Sequence, residues 1–196
     1  AEAAVPGLAA QGTARQAGVL YGAALASARL REFAAAQQLV ARLGSLTQGS
    51  AAATRLTGLL VAELALQSGQ LPSVLAGSGR PELLLNAQIL MASGRPGEAL
   101  PGLQTWLSRR PRDATAWQAV ASASAAQGLT LRAIRAEAEA HAARLDYGAA
   151  VDRFTAAQNM IRSAPRGASL DHIEASIIDT RARAVQSLFR EQTLER

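Results

Sequence analysis

Two histidines, His141 and His172, are the only imidazoles in this 196-residue chain, and cysteine is absent. Thiol nucleophiles, disulfides and thiolate metal sites are therefore excluded. A zinc site needs three or four ligands that meet in space. Neither histidine lies in an H-E-x-x-H helix, and His172 is followed by Ile173 and Glu174. Glu137 and Glu139 are two residues apart, a spacing that points their carboxylates to different sides of a helix. Gly77-Ser78-Gly79 and Gly94-Arg95-Pro96-Gly97 are glycine-rich, but no strand precedes either, as a phosphate loop requires. No serine can be matched to a nearby histidine and acid. The chain is expected to be non-catalytic and to hold no cofactor or metal of its own.

The elements that carry these residues follow from composition. There are 46 Ala and 27 Leu, over a third of the chain, with 49% hydrophobic, 18% charged and 4% aromatic residues. Alanine and leucine are the strongest helix formers, and few β-branched or aromatic residues compete. The longest apolar-rich run, 56–66, contains Thr57, Gly58 and Glu63, so no transmembrane segment is expected. All 20 basic residues are Arg, against 15 acids, giving +5. A GC-rich genome accounts for that usage. Apart from Arg109, Arg110 and Arg112 the arginines are scattered and lack interleaved aromatics, so no nucleic-acid partner is expected. The start, Ala1-Glu2-Ala3, has neither an initiator Met nor a basic leader region. It reads as a mature product or an excised segment.

Apolar periodicity and Gly, Pro or Asp breaks predict helices near 14–28, 32–43, 51–67, 71–76, 81–92, 96–109, 114–127, 130–145, 148–162 and 170–193. Gly44, Gly69, Gly94, Gly128 and Pro165 are among the expected stops. Short helices with tight connections predict an all-α fold of helical hairpins stacked in sequence.

The hairpins show a 34-residue tetratricopeptide-like repeat, with small residues at positions 8 and 20 where paired helices approach closely. From Ala17, Ala24 and Ala36 occupy these positions. From Arg80 they are Ala87 and Ala99; from Ala114, Ala121 and Ala133; from Leu131, Ala138 and Ala150. Repeats are thus expected near 17–50, 80–113, and 114–147 overlapping 131–164, with a degenerate one at 55–79. The overlap makes helix 130–145 common to two hairpins. Trp117, at position 4, is expected to be wedged between helices. Glu137 falls at a normally apolar position and is expected to pair with Arg144 or Arg153. The last helix, 170–193, carries Ile173, Ile177, Ile178, Val185 and Leu188 on one side, with Asp171 as its cap. It is expected to close an α-solenoid as a single 1–196 domain.

The Asp146-Tyr147-Gly148 turn resembles the inter-helix turn of the tetratricopeptide repeat. The closing stretch Glu174, Ser176, Ile178, Asp179, Thr180, Arg181, Arg183 resembles the "(D/E)xSxIDARxRxL" helix of one family, with Thr180 where Ala is usual. That family is the periplasmic zinc metallopeptidases related to the β-barrel assembly-enhancing protease of Gram-negative bacteria, whose C-terminal repeat domain this chain resembles. The resemblance implies a periplasmic location and zinc held only in an N-terminal peptidase domain not contained here. It implies contacts with that domain and with the β-barrel assembly machinery or its clients. A free-standing repeat adaptor with no attached enzyme is the alternative.

Positions 2, 5, 9 and 12 of such repeats line the concave side and define a candidate peptide-binding groove. They are Tyr21, Leu25, Leu84, Gln88, Met91, Gln118, Ser122, Arg132, Arg135 and Glu139. Arg132 and Arg135 are three apart and share a helix face. Arginine forks onto carboxylates or backbone carbonyls, so the groove is expected to take a protein or peptide.

Overall fold

The computed structural model describes residues 12–164 and 171–195. Among them every regular element is helical: α1 (Thr13–Arg29), α2 (Phe33–Thr47), α3 (Ala51–Gln67), α4 (Arg80–Ala92), α5 (Leu100–Arg109), α6 (Ala114–Ala126), α7 (Thr130–Ala143), α8 (Tyr147–Ser163) and α9 (His172–Leu194). A 3-10 turn over Pro96–Ala99 leads into α5. The chain divides into two compact units, one through Leu85 and one from Asn86, so the division falls inside α4.

In the first unit α2 packs against both α1 and α3. Leu20, Ala24, Val40, Leu43, Leu60 and Leu64 are all buried in one cluster. Ser50 caps α3 by accepting from the Ala53 amide at 3.4 Å. Two expectations change here. Helix α2 does not stop at Gly44 but runs to Thr47, because Leu43 and Thr47 are buried and Leu46 packs on the cluster. Tertiary burial outweighs the roughly 1 kcal/mol that a mid-helix glycine costs.

The helix expected over 71–76 does not form; residues 70–78 have no regular structure. Pro72 disfavours helical geometry at Leu71, and Leu71 and Val74 stay exposed. Six residues that bury little cannot offset helix nucleation.

In the second unit the chain packs sequentially, α5 on α6, α6 on α7, α7 on α8 and α8 on α9, and α9 also touches α7. Helix α7 thus packs against both α6 and α8. Asp113, Asp146 and Asp171 cap α6, α8 and α9. Phe154, Ala138, Ala150, Ala157, Ile178 and Val185 form the core of the α7–α9 region. The linker residues Pro165, Arg166 and Gly167 and the expected helix start at Leu170 lie outside the described residues. Of the apolar side of α9, only Ile178 and Val185 are buried; Ile173, Ile177 and Leu188 are exposed. The inward face of α9 is mixed: Glu174, Ile178, Arg181 and Val185 share it at helical spacing, so charged and apolar residues alternate along the contact.

Trp117 is half-buried rather than wedged. Its indole N–H donates to the Pro111 carbonyl at 2.9 Å, and the Arg135 guanidinium sits over its ring at 5.7 Å. Glu137 pairs with Arg153 at 3.5 Å, the second of its two expected partners.

Candidate functional site

The candidate groove residues fall on both units. Tyr21, Leu25 and Leu84 belong to the first; Gln88, Met91, Gln118, Ser122, Arg132, Arg135 and Glu139 belong to the second. Tyr21, Gln88, Gln118 and Ser122 are exposed. Leu25, Leu84 and Met91 are half-buried, and Leu25 packs on the first unit's core.

The three charged candidates on α7 are engaged within the chain. Arg135 binds the Glu174 carboxylate through Nε, with Nη2 at 3.4 Å from the second oxygen. Arg132 Nε lies 3.8 Å from the same carboxylate. One turn further on, Glu139 accepts from Arg181 Nε at 2.7 Å and Nη2 at 2.8 Å. The two pairs run in opposite polarity, cation to anion and then anion to cation. They fix both the register and the direction of α9 along α7, since sliding or reversing α9 would set like charges together.

Arg132, Arg135 and Glu139 were expected to face a partner; they instead hold the chain's own last helix. The physical reason is burial. Glu139 and Glu174 are almost fully buried, and a buried carboxylate requires a paired cation. Hydrogen bonding to Glu139 holds the Arg181 guanidinium pKa above its ordinary value. Glu174 also sits at the first turn of α9, where the helix dipole favours an acid.

A second anchored pair lies in the first unit. Glu82, at the start of α4, is buried and binds Arg55 of α3 through both oxygens, Nη2 to Oε2 at 2.8 Å. Hydrogen bonds from Arg55 hold the Glu82 carboxyl below the usual carboxylate range, against the opposing effect of desolvation. The chain before α4 closes over this pair. A Cβ at Gly79 would stand 2.5 Å from Glu82 Oε2 and 2.8 Å from Arg55 Nη2, and one at Gly77 would stand 3.2 Å from Glu82 Cγ. Gly77-Ser78-Gly79 is thus a close approach of backbone to an ion pair.

An open concavity of the first unit lies elsewhere. A groove of about 350 Å³ runs between α2 and α3, lined by Val40, Ala41, Gly44, Val61, Leu64 and Ala65, with Gln37 and Gln70 also on its wall. None of these residues was a sequence candidate. Their signal was hidden by two expectations, that α2 ends before Gly44 and that a helix over 71–76 pairs with α3. With 70–78 irregular, Val61 of α3 remains 48% exposed.

No group of three His, Asp or Glu side chains that could hold a metal ion occurs among the described residues. His141 Nδ1 lies 3.0 Å from Asp146 Oδ2 at the α7–α8 turn, while His172 is exposed at the first turn of α9. Among the described residues no helix is long and apolar enough to cross a membrane. A scan against models of protein families finds none that matches, and a search of curated proteins finds no similar one.

Proposed function

We infer that the chain is a non-catalytic, tetratricopeptide-like interaction domain that binds polypeptide. In this reading it serves a modular zinc-dependent metallopeptidase in the periplasm, and positions substrates or docks on outer-membrane β-barrel assembly partners. Zinc belongs to the separate peptidase domain. The repeat reading is supported by the small residues at positions 8 and 20: Ala24, Ala36, Ala87, Ala99, Ala121, Ala133, Ala138 and Ala150 are all buried. Alanine at these places lets paired helices approach closely.

The observation that carries binding is the α2–α3 groove. An apolar concavity flanked by two amide side chains suits a polypeptide segment. Its walls take aliphatic side chains, and Gln37 and Gln70 supply donors and acceptors for a backbone.

The test uses Val61→Arg, which places a charge at the groove mouth on a side chain already half exposed. Binding to an unfolded outer-membrane β-barrel protein, measured by titration, should fall about tenfold or more while the thermal midpoint holds. Unaltered binding removes the groove reading. The attachment to a peptidase is tested separately by the coding sequence upstream of Ala1, where an H-E-x-x-H helix is expected.

A further inference from the structure

Helix α3 has an antiparallel neighbour before it in α2, but none follows it. The ion pair between Glu82 and Arg55 shows why. Glu82 stands in the first turn of α4 and Arg55 near the start of α3. A hairpin partner would instead begin beside Gln67, at the finishing end of α3. The chain before α4 therefore travels back along α3, about 18 Å from Gln67 to Arg55 at the helical rise. In the second unit α7 packs on α6 and α8 on α7, so returns of this kind are made there by helices. In the first unit the return over 70–78 has no regular structure.

The α2–α3 groove is bounded by two helix faces. Thr47 Oγ1 lies 3.2 Å from Thr57 Oγ1, so the late turns of α2 meet the early turns of α3 and the two run antiparallel. Gln37, Ala41 and Gly44 share one face of α2, and Thr57, Val61 and Ala65 share one face of α3. Each face is about two turns long. Ala41, Gly44 and Ala65 are small enough for a further helix to come close, as the buried alanines of the chain's own helix pairs do. None of the described lining residues is charged.

Backbone chemistry decides what such walls accept. An extended segment carries N–H and C=O groups along its whole length, and burying them without partners is costly. The backbones of α2 and α3 are committed to their own helices, so only side chains remain to pair with them. The Thr57 hydroxyl already donates to the Ala53 carbonyl. Gln37 lies near the start of α2 and Gln70 just past the end of α3, so the antiparallel arrangement puts both amides at one end of the groove. A helix pairs its own backbone and leaves free groups only at its termini. It brings side chains alone to the apolar walls and sets one terminus against the two amides.

We propose that the α2–α3 groove takes an amphipathic α-helix of a partner polypeptide, docked over about two turns with uncharged small and aliphatic residues inward. The docked helix extends the packing series of α1 on α2 and α2 on α3. It stands in for the second helix that 70–78 does not form. The proposal rests on the reading of this groove as a polypeptide site and narrows its ligand to a helix.

The test is a displayed library of peptides about 15 residues long, enough to sample helix in isolation. Small and aliphatic residues vary along one face of a charged helical frame. A matched library carries a central proline, which breaks a helix but not an extended chain. The full chain is the bait. Enrichment is expected from the helical library alone, and enriched peptides should gain helical circular dichroism on binding. Val61→Arg and Gly44→Leu, each read beside its melting curve, should weaken those peptides about tenfold or more. No enrichment from the helical library overturns the proposal, as does equal enrichment from the proline library or parental binding to both variants. An unfolded β-barrel protein that loses affinity for Val61→Arg beside a silent helical library removes the helix and leaves the polypeptide groove standing. Self-association that Val61→Arg abolishes, with no peptide retained, overturns the proposal in favour of a second copy of the chain.

Discussion

Arg181 of α9 reaches across to Glu139 of α7 and donates two hydrogen bonds to a carboxylate that is almost fully buried, while 43% of its own side chain stays exposed. The burial is lopsided, and that predicts lopsided mutational costs. Arg181→Ala leaves a buried anion without its cation, which should cost about 2–4 kcal/mol. Glu139→Gln leaves a guanidinium that can turn to water, and should cost about 1 kcal/mol. Urea unfolding of both variants measures the difference. Equal losses would show that Arg181 serves mainly as packing.

The neighbouring pair makes a more specific claim about α9. Arg135 holds Glu174 while stacked on Trp117. Exchanging the charges, Arg135→Glu with Glu174→Arg, should recover part of the stability that either single change loses, a coupling of roughly 0.5–3 kcal/mol in a double-mutant cycle. Since Arg132 and Arg135 hold α9, replacing both by alanine should lower the thermal midpoint. A binding test on that variant alone would read unfolding as lost affinity.

Stability should also fall with acid through Glu82. Its folded pKa lies below its ordinary value because Arg55 donates to the charged form. A group depressed in this way contributes stability above its unfolded pKa, and that contribution is lost as pH falls through the folded pKa. The first unit should therefore weaken below about pH 4. Glu82→Gln should be less stable at neutral pH and show a flatter acid limb. Parallel limbs for parent and variant, followed by circular dichroism, would count against the pair.

Gly79 tests the same site by shape. A Cβ there overlaps Glu82 Oε2 and Arg55 Nη2, so Gly79→Ala must part the ion pair or move the chain. Its cost should approach that of Glu82→Gln, and the two together should cost clearly less than their sum, since both remove one interaction. Full additivity by urea titration would mean that the backbone simply shifts aside.

Much of this architecture was legible in the sequence, for identifiable reasons. The alanines at positions 8 and 20 carry a local, periodic signal, and all are buried. Asp171 reads as a cap from its place before an apolar run. Contacts between charges far apart in sequence carry no such signal. Glu139 and Arg181 are 42 residues apart, and nothing local distinguishes them from charges that face water. The α2–α3 groove was hidden because glycine was read as a stop at Gly44, where burial of Leu43 and Thr47 carries the helix through.

Gly44 supplies the last prediction. It sits inside α2, where alanine would be more favourable by about 0.5–1 kcal/mol, and an added Cβ would meet nothing within 4 Å. On fold stability alone, alanine is the better residue. Its absence keeps the wall of the α2–α3 groove open. Gly44→Ala should therefore raise the thermal midpoint by a few degrees, while Gly44→Leu, which projects a full side chain into the groove, should weaken polypeptide binding several-fold with little loss of stability. Titration of both variants against an unfolded β-barrel protein, beside their melting curves, separates the two effects. Destabilisation by Gly44→Ala would show that the open space at Gly44 is needed for the fold itself.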